Sequence, residues 1–339
     1  MSVTAAQGFR AAGVRAGLKA SGKPDLALVV NDGPLDTAAG VFTTNRVVAA
    51  PVVWSRRLLA GEEGGQPGRA RAVVLNSGSA NACTGTQGMH DTEATAARTA
   101  GLLGAEPGQV LVCSTGVIGE RIDMPVLLEG VDVAALALAD TSQAGTDAAT
   151  AIMTTDTVSK EDALTVGAGD QGWTIGGMIK GVGMLAPGMA TMLAVITTDA
   201  ALTPQQAQDA LASATARTVN RINSDGCMST NDTVLLLASG ASGTTPSRAE
   251  LDEALTEVMS RLGRRLVADA EGATHDIAIT VSGAVSEEAA EAAARTVSSS
   301  NLLKCAVAGA DPNWGRILSQ LGTVPEDVCP FNPDEVDVA

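Results

Sequence analysis

Thr191 lies in the run KGVGMLAPGMATMLAVITTD (residues 180–199), where glycines and Pro187 give way to an apolar stretch of strand character. Ala190 precedes it, and nothing titratable follows until Asp199. A threonine hydroxyl at such a junction is inert as it stands, and threonine favours strands whatever its function. Cutting the peptide bond before it changes that. The freed α-amine, with a pKa of ~8, can serve as general base to its own hydroxyl and make it a nucleophile. Strand filler and self-activated nucleophile are therefore the two readings of Thr191. The rest of the chain has to decide between them.

The elements around it read as alternating short strands and alanine-rich helices. Residues 25–31 (DLALVVN), 72–76 (AVVLN) and 109–113 (QVLVC) are apolar runs ended by small-residue turns, as buried strands are. A helix is expected over 91–103, and strands over 191–197 and 231–239. Thr203, Pro204 and Gln206 form a helix start with a capping box, and Ser247 with Glu250 forms another. Leu251, Leu255, Val258, Met259, Leu262 and Leu266 then follow on one helical face, so that stripe is core. Ile277, Ile279 and Val281 alternate like a half-buried strand, 287–297 reads as helix, and 302–308 as strand. Loop-like breaks fall near 61–69, 167–172 and 240–247. Interleaved strands and helices predict an α/β layered fold.

Composition narrows the functions. In 339 residues, 45% hydrophobic, there are three Trp, three Phe and no Tyr, so stacking on nucleic-acid bases is not expected. Twenty-two Lys and Arg against 38 Asp and Glu give a net charge of −16, which opposes nucleic-acid phosphates and anionic lipid. An anionic ligand would need cations placed locally. Cys83, Cys113, Cys227, Cys305 and Cys329 form no CxxC pair, so no metal is expected and the thiols read as idle in a reducing compartment. The start MSVTAAQGFRAAG lacks the apolar core of a signal peptide, and the apolar run 181–196 is short and contains Pro187. A cytoplasmic protein is the expectation. No GxxxxGK[ST] occurs; Gly181 and Gly183 follow a lysine rather than a strand and open no helix, so they make no dinucleotide fingerprint. His90 and His275 have no GxSxG elbow and read as surface or capping residues.

The block KGVGMLAPGMATML resembles the processing site of the ornithine acetyltransferase family, the glutamate N-acetyltransferases of arginine biosynthesis. GFRAAGVRAGLK at Gly8, AGVFTTNRVVAAPV at Ala39, AVVLNSGSANACTG at Ala72 and VCSTGVIGERI at Val112 resemble it too. So do AIMTTDTVSK at Ala151, STNDTVLLLASGASG at Ser229, AEGATHD at Ala270 and GADPNWGRIL at Gly309, in the same order. The resemblance implies a layered α-β sandwich of the self-processing type, two lobes around one site. It implies cleavage between Ala190 and Thr191, into a segment 1–190 and a segment 191–339 that fold as one unit and pair as a dimer of processed protomers. The implied reaction is ping-pong transfer of acetyl from N-acetylornithine to glutamate through acetyl-Thr191. It needs no bound cofactor, and acetyl-CoA stands open as a further acetyl donor.

The resemblance also assigns residues. Thr115 and Gly116 match the oxyanion-stabilising pair; a hydroxyl and a glycine amide after strand QVLVC can converge on one oxygen, although an ordinary strand-ending turn has the same composition. Thr154, Lys180, Thr191 and Glu271 match substrate-binding positions. Lys180 is the only cation between Lys160 and Arg217, which suits a substrate carboxylate. Thr155, Asp156 and Asp269 are neighbours that could take these places. Two departures stand out. Ser79 replaces an expected asparagine, and no match follows to the family's C-terminal segment, which supplies an asparagine and a threonine or serine to the site. An N-terminal-nucleophile aminopeptidase or amidase, and a non-catalytic ligand-binding homologue, are the competing readings.

Overall fold

The computed structural model describes residues 2–169, 172–185 and 192–339. The expected cleavage pair, Ala190 and Thr191, lies outside them. Strands β1 (Phe9–Val14), β2 (Leu26–Asn31), β4 (Ala72–Ser79) and β5 (Val110–Val117) form one sheet in the order β1-β2-β4-β5, with β4 and β5 parallel. A second sheet runs β3-β9-β8-β7-β6, from β3 (Thr37–Phe42), β6 (Lys160–Val166), β7 (Trp173–Lys180), β8 (Leu193–Thr198) and β9 (Thr233–Ala238).

The period of two along the strands decides how the sheets stack. Leu193 and Val195 of β8 and Leu235 and Leu237 of β9 share a core with β2, β4 and β5. The alternate residues Ala194, Ile196, Val234 and Leu236 pack instead with the apolar faces of α5 (Pro204–Arg217) and α6 (Arg248–Ala268). On the outer side of the first sheet lie α2 (Gly85–Leu103) and α3 (Met124–Leu136), through Ala96, Ala100, Leu127 and Val131. The layers are thus helix, sheet, sheet, helix, an α/β sandwich as the sequence pattern predicts. Helices α1 (Ala50–Leu59) and α4 (Ser142–Ala151) complete it, α4 lying against β1 and β2.

Both capping boxes form: Thr203 accepts from the Gln206 amide, and Ser247 from that of Glu250. Three expectations need correction. Residues 302–308 are not a strand but lie in α8 (Asn301–Ala308), capped by Ser300 accepting from the Leu303 amide. The run LLKCAVA satisfies either period, and the cap settles it. The alternating Ile277, Ile279 and Val281 join no ladder among the described residues; that stretch forms no regular element and is largely exposed. α7 (Glu287–Ser298) is where expected, and α9 (Gly315–Leu321) closes the described helices. Gly181 follows strand β7 after all, since Lys180 is the last residue of that strand, but among the described residues no helix opens at Gly183. No described helix is long and apolar enough to cross a membrane.

Candidate active site

The parallel pair β4–β5 sets Thr115 beside Ser77 and Gly116 beside Gly78. Gly116 has φ +132°, and a Cβ there would stand 2.4 Å from the carbonyl carbon of Gly78. Only glycine fits so close a backbone approach at positive φ. Thr115 is buried. Beneath it, Ser114 Oγ donates to Asn76 Oδ1 at 2.6 Å, and Asn231 Nδ2 donates to Ser114 O at 2.8 Å and Ala80 O at 2.6 Å. These bonds fix the strand ends that carry Thr115.

Lys180 enters from the second sheet, at the end of β7 opposite Leu193, the first residue of β8. Its side chain is 1% exposed. Nζ donates to Thr154 Oγ1 at 2.8 Å and to Thr115 Oγ1 at 3.2 Å, and lies 3.9 Å from Asp156 Oδ2. Burial brings its pKa down to about 8, against the opposing pull of Asp156; Lys160 and Lys19 push the same way as burial. A buried ammonium between two hydroxyls is a receptor for a carboxylate or a developing oxyanion. Thr154 is placed by the turn after α4, which Ser77 Oγ and Lys19 Nζ fasten through the carbonyls of Ala151 and Met153, each at 2.6 Å.

Asp156 sits behind both. Oδ1 accepts from Lys160 Nζ at 2.8 Å and the Gly181 amide at 2.7 Å, and Oδ2 from the Thr154 amide at 3.0 Å. Burial pushes this carboxyl up, but the charge of Lys180 and the bonds from Lys160 and Thr154 outweigh it and hold Asp156 below the usual carboxylate range. Lys160 also donates to Asp269 Oδ2 at 2.6 Å. Two residues on, the Glu271 amide donates to Val182 O at 2.9 Å. Its carboxylate lies so near Gly183 that a Cβ there would come within 3.0 Å of Oε2. Asp232, fully buried, accepts the Met192 amide on Oδ1 at 3.1 Å, while Oδ2 has no hydrogen-bond partner among the described residues.

Thr115, Thr154 and Lys180 therefore meet, Gly116 adjoins them, and Glu271 borders the loop that leaves Lys180. Ala190 and Thr191 lie outside the described residues; the amide next in the chain, that of Met192, is held by Asp232. Sequence reasoning offered Asp156 and Asp269 only as substitutes, and missed Lys160, Asp232 and Asn231. The TDTVSK spacing of Asp156 and Lys160 was a signal, as was the polar run STNDT ahead of apolar β9. His90 and His275 are exposed, and no group of three His, Cys, Asp or Glu among the described residues is placed for a metal. A cavity of about 750 Å³ between α7, residues 218–224 and residues 270–281 reaches this site only at Glu271.

The model of the ArgJ family matches residues 10–339. This chain belongs to the ArgJ family. It is 58% identical to the arginine biosynthesis bifunctional protein ArgJ of Bifidobacterium longum, over all of this chain and 84% of that protein. It is 55% identical to the protein of the same name from Streptomyces coelicolor, over all of this chain and 85% of the other. Among solved structures it is similar to ornithine acetyltransferase of Mycobacterium tuberculosis complexed with ornithine. That match has a TM-score of 0.52 at 50% identity, covering 57% of this chain and 96% of the other. The ArgJ structure from Bacillus halodurans matches with a TM-score of 0.51 at 35% identity, covering 57% and 95%. Family membership agrees with the α/β sandwich, and with the order of the blocks on which the resemblance rested.

Proposed function

We propose that this ArgJ-family chain transfers acetyl from N-acetylornithine to glutamate, through an ester on Thr191, after cutting itself between Ala190 and Thr191. In the cut, Thr191 Oγ attacks the Ala190 carbonyl, the C–N bond breaks, and water hydrolyses the ester to leave a free Thr191 amine. In turnover that amine takes the hydroxyl proton while Oγ attacks the acetyl carbonyl. The proton passes to the departing amine, and ornithine leaves. The glutamate amine then attacks the acetyl ester, forming N-acetylglutamate and restoring the hydroxyl.

The observation that carries this reading is the buried Lys180 ammonium bonded to both Thr115 and Thr154 beside the strand that follows Thr191. In it Thr115 and Gly116 stabilise the oxyanion, Thr154 and Lys180 receive a substrate carboxylate, and Glu271 receives the substrate ammonium. Two further points favour cleavage into a segment 1–190 and a segment 191–339. The two solved family chains are almost wholly covered while taking up 57% of this one, a share close to that of the stretch ending at Ala190, 190 of 339 residues. The second sheet draws β3, β6 and β7 from one segment and β8 and β9 from the other, so the cut pieces would remain one folded unit. The word bifunctional in the relatives' names supports acetyl-CoA as a second acetyl donor, and the proposed reaction calls on no resident cofactor. A dimer of processed protomers in the cytoplasm completes the proposal; five free cysteines fit a reducing compartment.

Two measurements test it. Mass spectrometry of the purified, denatured protein should give two polypeptides whose boundary is Ala190/Thr191, and a single one for Thr191→Ala. Incubation with N-acetylornithine and labelled glutamate should yield labelled N-acetylglutamate. Free acetate alone would mean hydrolysis, and binding without turnover a non-catalytic homologue.

A further inference from the structure

We propose that Asp156 is the positioning residue of the substrate-carboxylate site, holding Lys180 and Thr154 in a fixed relation, and that Lys160 and Asp269 anchor it to the strip bearing Glu271. The inference rests on the acetyl-transfer reading and names what orients its binding groups.

The argument begins with how Asp156 distributes its lone pairs. Its carboxylate accepts from the Thr154 amide, from the Gly181 amide next to Lys180, and from Lys160 Nζ. It therefore grips the backbone on both sides of the Lys180–Thr154 bond. Toward the Lys180 ammonium itself it stands off at 3.9 Å, beyond a hydrogen bond. Charge is compensated without being captured. Lys180 directs two of its three protons at Thr154 and Thr115, and the third has no acceptor among the described residues.

Stability alone gives no reason for this arrangement. The side chains of Asp156, Lys160 and Lys180 are at most 1% exposed and that of Asp269 is 7% exposed. Apolar residues of equal volume generally serve a core as well or better. Asparagine at 156 would offer an N–H₂ to one of three donors and remove the countercharge. The groups facing Lys180 would then be Lys160 from β6, Lys19 from the loop after β1, and Asp232 from the turn before β9. With two cations left against one distant acid, Lys180 loses its proton at a lower pH than in the parent protein.

The test compares the intact protein with its Asp156→Asn and Asp269→Asn variants, with folding checked by circular dichroism and thermal melting. KM and kcat for N-acetylornithine and glutamate are followed from about pH 6 to pH 9, bracketing the Lys180 titration. Asp156→Asn should raise KM about tenfold or more while kcat stays within a few-fold, and the inflection of KM near pH 8 should move acidward. A folded variant with the parental KM and inflection overturns the proposal, as does a fall in kcat with KM unchanged. If Asp156→Asn does not fold, Asp269→Asn decides. It leaves Asp156 as the one carboxylate bonded to Lys160 among the described residues, so a raised KM supports the hub and an unchanged one overturns it. Titration calorimetry with ornithine separates the two readings. Parent protein that binds ornithine without transferring acetyl fails the functional reading, while about tenfold weaker binding by Asp156→Asn still upholds the hub and equal binding overturns it. No binding by the parent overturns both.

Discussion

Asp232 holds the amide of Met192 at 3.1 Å through one carboxylate oxygen and leaves the other without a partner among the described residues, in a wholly buried position. Thr43, the residue after β3, donates to Ser229 O at 2.7 Å. Burial drives the Asp232 pKa well above the usual carboxylate range, and the Met192 amide, neighbouring hydroxyls and Lys180 offset only part of this.

The sign of the consequence follows by linkage. With its folded pKa raised, Asp232 keeps a proton in the native state that the unfolded chain gives up above about pH 4. Its contribution is fully present below that pH and is lost as pH rises through the native pKa. Asp232→Asn, which keeps the acceptor for Met192, should therefore flatten the fall in stability between mildly acid and neutral pH. A gain in stability at pH 7 is expected, read from urea unfolding at several pH values. A variant that loses stability in parallel with the parent at every pH would contradict this.

Gly116→Ala should be more harmful than an ordinary surface change. The new methyl would meet the Gly78 backbone at 2.4 Å, and the +132° φ adds strain. A loss of about 2–4 kcal/mol is expected, together with at least tenfold lower acetyl transfer, measured on whatever folded protein remains. Ala at Gly119, where nothing lies within 4 Å, supplies the comparison.

Asn231→Ala removes three buried bonds, the two donated to Ala80 O and Ser114 O and the one accepted from Thr230 Oγ1, and leaves those partners unsatisfied. About 2–4 kcal/mol should be lost. Because Ser114 is next to Thr115, kcat should fall more than KM rises; steady-state kinetics on the melted-and-checked variant decide it.

Thiol labelling reads burial directly. Cys83, Cys227 and Cys305 are exposed, and Cys113 and Cys329 are buried, with burial pushing Cys113 up to about 12. Native protein at pH 8 should take up three iodoacetamide adducts and denatured protein five. Early alkylation of Cys113 would contradict the packing of β5.

The sequence made the two-sheet core legible because β2, β4, β5 and β9 are apolar runs closed by turn chemistry, and because α5 and α6 carry explicit capping boxes. It was silent on β1 and β3, whose alanines and glycine carry little strand signal, and on β6 and β7, where charge and glycine interrupt the pattern. Ordered motif blocks singled out Thr115, Thr154, Lys180 and Glu271, and the fold brings the first three into contact. They said nothing of Lys160 or Asn231, whose importance comes from which buried atoms they reach across the fold. Residues 302–308 went wrong because a short apolar run suits both periods.

The rungs from Lys180–Leu193 to Ile175–Thr198 zip β7 to β8 along their length. A nick anywhere in the connector between them would free no strand: the severed polypeptides would travel through a sizing column as one particle and part only in denaturant. Polypeptide count and particle count are, for this architecture, separate properties.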